Sequence, residues 1–237
     1  MTRLFLGTLL VFSLFFKASI AEESSFVARD FSDLLQMPGW NKDLLQMHFT
    51  LYQGYVKNTN LLLEEISELN KMGKSKSYEF GALKRRFGWE FDGMRLHELY
   101  FENLSKEPLQ EDLEKTLVDQ MQKDFGSFEA WKQDFIATGL MRGIGWVVLY
   151  QDRLTQRLCN VWINEHDTGH LVLGDPLLVM DVFEHAYITQ FGLDKAKYID
   201  LFFKSLNFSI FNQRWLSISS KSFSNLKSEK NDHNKAE

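Results

Sequence analysis

Gly143-Ile144-Gly145-Trp146-Val147-Val148-Leu149-Tyr150 is the stretch where the pattern of the chain changes. Upstream, apolar residues recur at helical spacing. Here β-branched and aromatic residues run together behind two glycines, which is strand composition. The polar turn Gln151 to Gln156 and the run Arg157 to Ile163 complete a hairpin. Pro176-Leu177-Leu178-Val179-Met180 reads as a third strand, apolar throughout, that ends on Asp181. From Glu184 to Trp215 the chain returns to short helices. A helical half, three strands and closing helices make an α+β fold: an N-terminal α-helical hairpin domain, 22–108, followed by a C-terminal domain, 109–216, in which helices surround a three-stranded antiparallel sheet.

In the first half, Met37-Pro38-Gly39-Trp40-Asn41 forms a turn, with Asn41 placed to cap a helix before Leu44. Leu44, His48, Leu51, Tyr52, Tyr55, Thr59 and Leu62 then make one helical stripe, and Lys71 to Ser75 breaks it. A second helix runs from Tyr78 to Leu104, its face built from Gly93, His97, Tyr100, Phe101 and Leu104, and Glu107-Pro108 ends it. Joined by a short polar loop, the two helices pack as a hairpin, which turns His48 and His97 toward each other. Leu109 to Phe125 reads as a third helix closed by Gly126, and Ser127 caps a fourth from Phe128 to about Thr138.

The ends of the chain differ from this. Met1-Thr2-Arg3 leads into an apolar run from Leu4 to Phe16, and Ser19 and Ala21 offer small residues for cleavage. We read 1–21 as a secretory signal peptide, too short to span a membrane, so the mature chain is expected to be exported, to a bacterial periplasm or the extracellular space. Residues 217–237, rich in Ser, Lys and Asn, read as a disordered polar tail. The formal charge of −5 grows more negative once Arg3 and Lys17 are removed, which excludes a non-specific nucleic-acid binder. Cys159 is the only cysteine, so no intrachain disulfide forms and stability rests on a core in which aromatic residues, 14% of the chain, are prominent.

Asp181-Val182-Phe183-Glu184-His185-Ala186-Tyr187 is the densest chemical stretch. Asp181 and His185, four apart, can aim at one point on a helix or where a strand runs into one. A carboxylate and an imidazole so aimed suit iron, manganese or zinc; taken alone, the pair also fits a helix cap and a core histidine. Three histidines on apolar faces, His48, His97 and His185, beside a carboxylate are costly to bury unless a metal takes them. No histidine has Glu three residues before it, which excludes a ferritin-like di-iron bundle, and no His-Glu-x-x-His is present. A mononuclear iron oxygenase is disfavoured, because three histidines and an aspartate leave too few open positions.

These residues resemble the iron/manganese superoxide dismutase family. Asp181 to Tyr187 is similar to its D-x-W-E-H-A-Y signature, with Phe183 where the family has Trp, and the resemblance extends from about Met37 to Trp215 through the helical hairpin, Gly143 to Trp146 and the sheet. It implies His48, His97, Asp181 and His185 as ligands of one iron or manganese ion per subunit, iron being preferred, with water or hydroxide as fifth ligand. It implies superoxide as substrate, converted to dioxygen and hydrogen peroxide, and a homodimer or higher homo-oligomer.

The resemblance also distributes supporting roles. Tyr55 is similar to a gateway tyrosine that passes protons, although it lies seven residues after His48 where the family has eight, and Tyr52 stands where the family carries a histidine. The family sets an amide side chain against the bound solvent from one of two places; the first is Gly93 here and the second aligns with His166. Glu184 is similar to the residue that reaches the equivalent of His185 in a partner subunit, and Tyr187 to the tyrosine of a second bridge whose histidine is replaced here by Tyr52. Phe101 and Phe183 replace tryptophans, Trp146 keeps its place, and the three are expected to wall the metal. Lys195 matches an arginine near the substrate approach. The alternative is a non-catalytic metal-binding or surface-interaction protein on the same fold, suggested by the replaced tryptophans.

Overall fold

The computed structural model describes residues 25–108 and 113–218. The expected signal peptide, residues 109–112 and most of the expected tail lie outside these. An extended leader and a single 3-10 turn, Ser32–Gln36, bring the chain to helix α1, Lys42–Lys71. Asn41 caps it, its side-chain oxygen accepting the N–H groups of Asp43 at 2.7 Å and Leu44 at 3.3 Å. α2, Tyr78–Glu102, starts the same way with Ser77 accepting from Phe80 N–H at 3.1 Å. α1 and α2 pack along each other, burying Leu44, Leu45, His48, Phe49 and Tyr52 of one against Met94, His97, Tyr100 and Phe101 of the other.

α3, Lys115–Phe125, begins later than the expected Leu109. Glu114 is extended (ψ 131°), so helix cannot run through it from upstream. Gly126 closes α3 at φ 90°, the left-handed conformation that glycine adopts at helix ends, and Ser127 caps α4, Phe128–Leu140. The sheet comprises β1, Gly145–Asp152, β2, Leu158–Asn164, and β3, Gly174–Asp181. It is antiparallel throughout, in the order β2-β1-β3. Its register pairs Trp146 with Ile163 on one side and Asp181 on the other. Between Leu149 and Tyr150 the pairing with β3 skips Leu177, a bulge beside Pro176, which has no N–H to give the ladder.

β1 is the centre of the molecule: Trp146 to Leu149 are fully buried. α4 covers the sheet with Trp131 and Phe135, and Gly139 lets it approach so closely that a Cβ there would stand 2.6 Å from Met180 Cε. The turn Glu184–Ala186, α5 (Ile188–Phe191) and α6 (Lys195–Lys204) follow, and the chain is helical again from 208 to 218. Ser217 and Ile218, expected in the tail, belong to this last helix, and Ile218 is buried. Among the described residues no helix is long and apolar enough to cross a membrane.

Arg214 of the last helix ties the two halves together. Its guanidinium donates to Asn103 Oδ1 (2.6 Å), Glu102 Oε2 (2.6 Å), Leu99 O (3.1 Å) and Leu177 O (3.1 Å), while Asn103 Nδ2 donates to Val179 O (2.7 Å). The end of α2 is thereby fixed to β3. Replacing Arg214 with Met keeps the apolar stem but strands these acceptors, and is expected to cost about 2–4 kcal/mol, read as a lower denaturant midpoint at unchanged slope.

Candidate metal centre

Four side chains from separate parts of the fold converge on one point. His48 comes from the middle of α1, His97 from α2, Asp181 from the last position of β3 and His185 from the turn after it. Their ligand atoms lie within 4.8 Å of one another. Asp181 Oδ2 is at the centre, 3.1 Å from His48 Nε2, 3.0 Å from His185 Nε2 and 3.7 Å from His97 Nε2. His48, His97 and Asp181 are fully buried; His185 alone keeps an exposed edge, 21% of its side chain.

Local backbone geometry aims each group. The other oxygen of Asp181 accepts Phe183 N–H at 2.8 Å, which turns the strand end into the 3-10 turn and brings His185 round. Tyr198 Oη donates to Asp181 O at 2.6 Å and, having spent its proton, accepts from Tyr100 at 3.2 Å. His97 Nδ1 donates to Gly93 O at 2.5 Å. A carbonyl only accepts, so the His97 proton sits on Nδ1 and its Nε2 lone pair faces the cluster without a hydrogen-bond donor.

A ring of aromatic groups surrounds the four. Phe101 lies 4.9 Å from the His48 ring and Trp146 meets His97 edge-on at 4.9 Å. Phe183 stacks between His185 at 5.0 Å and His166 at 4.6 Å. Tyr55 stacks on His97 at 5.1 Å, lying against bare backbone at Gly93, where a Cβ would be 2.7 Å from its ring. α1 is unbroken helix between His48 and Tyr55, so a spacing of seven leaves both on one face. Tyr52 points elsewhere: its hydroxyl donates to Glu98 at 3.0 Å and accepts Arg29 N–H at 2.9 Å.

His166 is fully buried between two partners. Trp146 Nε1–H donates to its Nδ1 at 3.1 Å, and its Nε2 lies 2.6 Å from Tyr55 Oη. An indole N–H only donates, so Nδ1 accepts and a neutral His166 carries its proton on Nε2, donating it to Tyr55. The ring thus offers one acceptor and one donor, as an amide side chain does. The Tyr55 hydroxyl keeps its own proton free to donate, and burial pushes its pKa well above the tyrosine range.

Electrostatics match the donor set. Burial alone would raise the Asp181 pKa, but the charge and hydrogen bond of His185 and the hydrogen bond of His48 outweigh it and hold the carboxyl well below the usual range. Burial lowers the pKa of His48 and, with His48 beside it, takes that of His97 far down, so both stay neutral. An ionised carboxylate, neutral imidazoles and an orphaned buried lone pair on His97 Nε2 are what a divalent or trivalent first-row metal requires, and a cation there would satisfy that lone pair.

Residues 113–214 match the family model described as iron/manganese superoxide dismutases, C-terminal domain. Over 157 residues the chain is 36% identical to a manganese superoxide dismutase of Haloferax volcanii, covering 66% of this chain and 77% of that one. It is 32% identical over 175 residues to an iron superoxide dismutase of Cupriavidus metallidurans, with 73% and 86% covered, and 31% identical over 176 residues to one of Saccharolobus solfataricus, with 72% and 82% covered. The chain belongs to the iron/manganese superoxide dismutase family.

Within that family frame, several residues take positions that spacing alone did not supply. Trp89, two helical turns before His97, meets the His166 ring edge-on at 4.9 Å, and Arg86 lies over it at 4.8 Å; the interval of eight to His97 was the available signal. Tyr100 and Tyr198 support Asp181 through its backbone, which no sequence motif reveals. Glu184 is exposed and lines a cleft with Arg142, Tyr187 and Lys195. Lys195 Nζ donates to Gly139 O at 3.2 Å and Met141 O at 2.8 Å, a cation at the C-terminal end of α4.

The buried histidines make stability depend on pH. Burial pushes the His166 pKa down to about 4 from 6.5, so between those values the unfolded chain binds more protons than the folded one. Stability of the metal-free protein is expected to be full above pH 6.5 and to fall toward pH 4, His166 contributing on the order of 2–3 kcal/mol. His48 and His97 act in the same direction. Denaturant titrations of the metal-free protein across this range, compared with His166→Gln, should show a shallower pH dependence in the variant.

Proposed function

We propose that this protein is a superoxide dismutase that uses one iron or manganese ion per subunit, held by His48, His97, Asp181 and His185. The observation that carries the reading is the convergence of these four donors within 4.8 Å in a chain of this family. An iron or manganese ion at this place supplies one-electron redox chemistry, by which one superoxide leaves as dioxygen and a second, taking the electron and two protons, leaves as hydrogen peroxide.

The chain's own residues set the conditions. Asp181 is the single anionic donor and keeps its charge at any physiological pH. The Nδ1 bond to Gly93 O fixes the His97 tautomer that leaves Nε2 for a metal. Phe101, Trp146 and Phe183 exclude water from three sides, which strengthens the electrostatic interactions inside. Tyr55 retains a transferable hydroxyl proton, oriented by His166 Nε2–H, at the half-buried end of the site. That pair is positioned to deliver protons to a reduced substrate.

The assembly and address of the protein belong to the same proposal. A homodimer is supported by exposed Glu184 next to the ligand His185, where it can meet the same histidine of a second copy. The second bridge is absent from this reading, because the Tyr52 hydroxyl is committed to Glu98. Export to a bacterial periplasm or the extracellular space is supported by the leader from Met1 to Ala21.

Elemental analysis of the purified protein is expected to give about one iron or manganese per subunit, with rapid catalytic removal of superoxide. His185→Ala should lower activity by at least about a hundredfold. Protein with full iron or manganese occupancy that leaves superoxide untouched would overturn the activity and favour a non-catalytic metal-binding role.

A further inference from the structure

The loop that carries His166 is pinned on either side by backbone bonds. Asn164 N–H donates to Thr168 O at 2.8 Å, Thr168 N–H to Asn164 O at 3.3 Å, and Glu165 N–H to Ile144 O at 3.2 Å. Glu165 takes a left-handed conformation at φ 53°. At Gly169, φ is 113° and a Cβ would stand 2.9 Å from Trp162 O. Between these pins the carbonyl of His166 itself is held by a side chain, that of His170, with Nε2 to oxygen 2.8 Å.

The chemistry of His170 is fixed by its partners. The carbonyl only accepts, so a His170 proton is on Nε2, and in the neutral ring Nδ1 is bare. Nδ1 lies 2.8 Å from Tyr150 Oη, which therefore donates. Burial keeps that phenol protonated, its pKa pushed up to about 12. Asp92 Oδ2 stands 3.6 Å from Nε2 on the open side. The imidazole thus links Tyr150, on the central strand, to the backbone of a loop residue. It does so without reaching the four converging side chains.

We propose that His170 is the positioning residue that holds the His166 ring in register with Trp146 and Tyr55. His166 must satisfy two partners on opposite ring nitrogens, at 3.1 Å and 2.6 Å, and the longer of these contacts is the first that a loop shift would break. The His166 carbonyl and ring belong to one residue, so a loop displacement that breaks the His170 bond also strains the Trp146 bond. Only the kinetic consequence rests on the superoxide dismutase reading.

The Trp146 indole N–H, assigned with Trp146→Phe, is the reporter, observed by nitrogen-15 NMR in the full chain loaded with diamagnetic zinc. In His170→Leu its resonance should leave the hydrogen-bonded position and its exchange with solvent should speed up about tenfold or more. His170→Gln, whose terminal amide reaches where Nε2 stands, should restore both. With iron or manganese bound, His170→Leu should lower kcat several-fold at unchanged metal content and KM, again rescued by Gln. If His170→Leu does not fold, His170→Asn, polar but too short to reach the carbonyl, replaces it with the same expected effects. A Trp146 signal and exchange rate as in wild type in the Leu or Asn variant would overturn the proposal. If wild type loaded with iron or manganese removes no superoxide, the activity reading falls, while the NMR result still decides the role of His170.

Discussion

A buried carboxylate at the end of a strand governs this structure. Asp181 is removed from water completely, and an ionised acid in that position is tolerable only when donors surround it. The fold supplies them from every side: two imidazoles at hydrogen-bond distance on Oδ2, a backbone N–H on Oδ1 and a tyrosine hydroxyl on the carbonyl. His48 comes from α1, His185 and the Phe183 N–H from the turn after β3, and Tyr198 of α6 holds the backbone of the same residue, so three elements are committed to one position. A centre built this way is ready for a cation before one arrives.

The rest of the architecture keeps those elements from drifting. β1 is the fixed reference, buried along its length and paired on both edges, and it places Trp146 opposite Asp181. From there the aromatic rings pass position outward: Trp146 to His97 and His166, Phe183 to His166 and His185, Tyr55 to His97. Arg214 secures the end of α2 to β3, so that the helix bearing His97 and the strand bearing Asp181 move as one piece. Local interactions thus fix a geometry whose parts are far apart in sequence.

Much of this was legible in the residues. Periodicity marked two long helices because each carries a continuous buried stripe, and Asn41, Gly126 and Ser127 marked helix ends because capping is a local interaction. The change to strand at Trp146 was plain from composition, and the four metal-site candidates stood out because polar groups on apolar faces are rare. What could not be read depended on the third dimension. The start of α3 at Lys115 departs from an amphipathic pattern that fits helix from Leu109, since periodicity does not register an extended Glu114. The Tyr52 hydroxyl turns to Glu98 and Arg29, partners that no spacing rule connects to it. Nothing in the spacing marks His170, because its acceptor is a backbone carbonyl and backbone carbonyls leave no trace in composition.

The contact of Tyr55 with Gly93 carries one more consequence. A flat ring resting on naked backbone is the closest approach that two helices can make through a side chain, and here it lies between the helix of His48 and the helix of His97. Position 93 therefore works as a spacer of zero thickness. Any larger residue would act as a shim, widening the gap by the size of its side chain and opening the distance between two of the four converging donors. The absence of a single carbon atom sets the calibre of the centre.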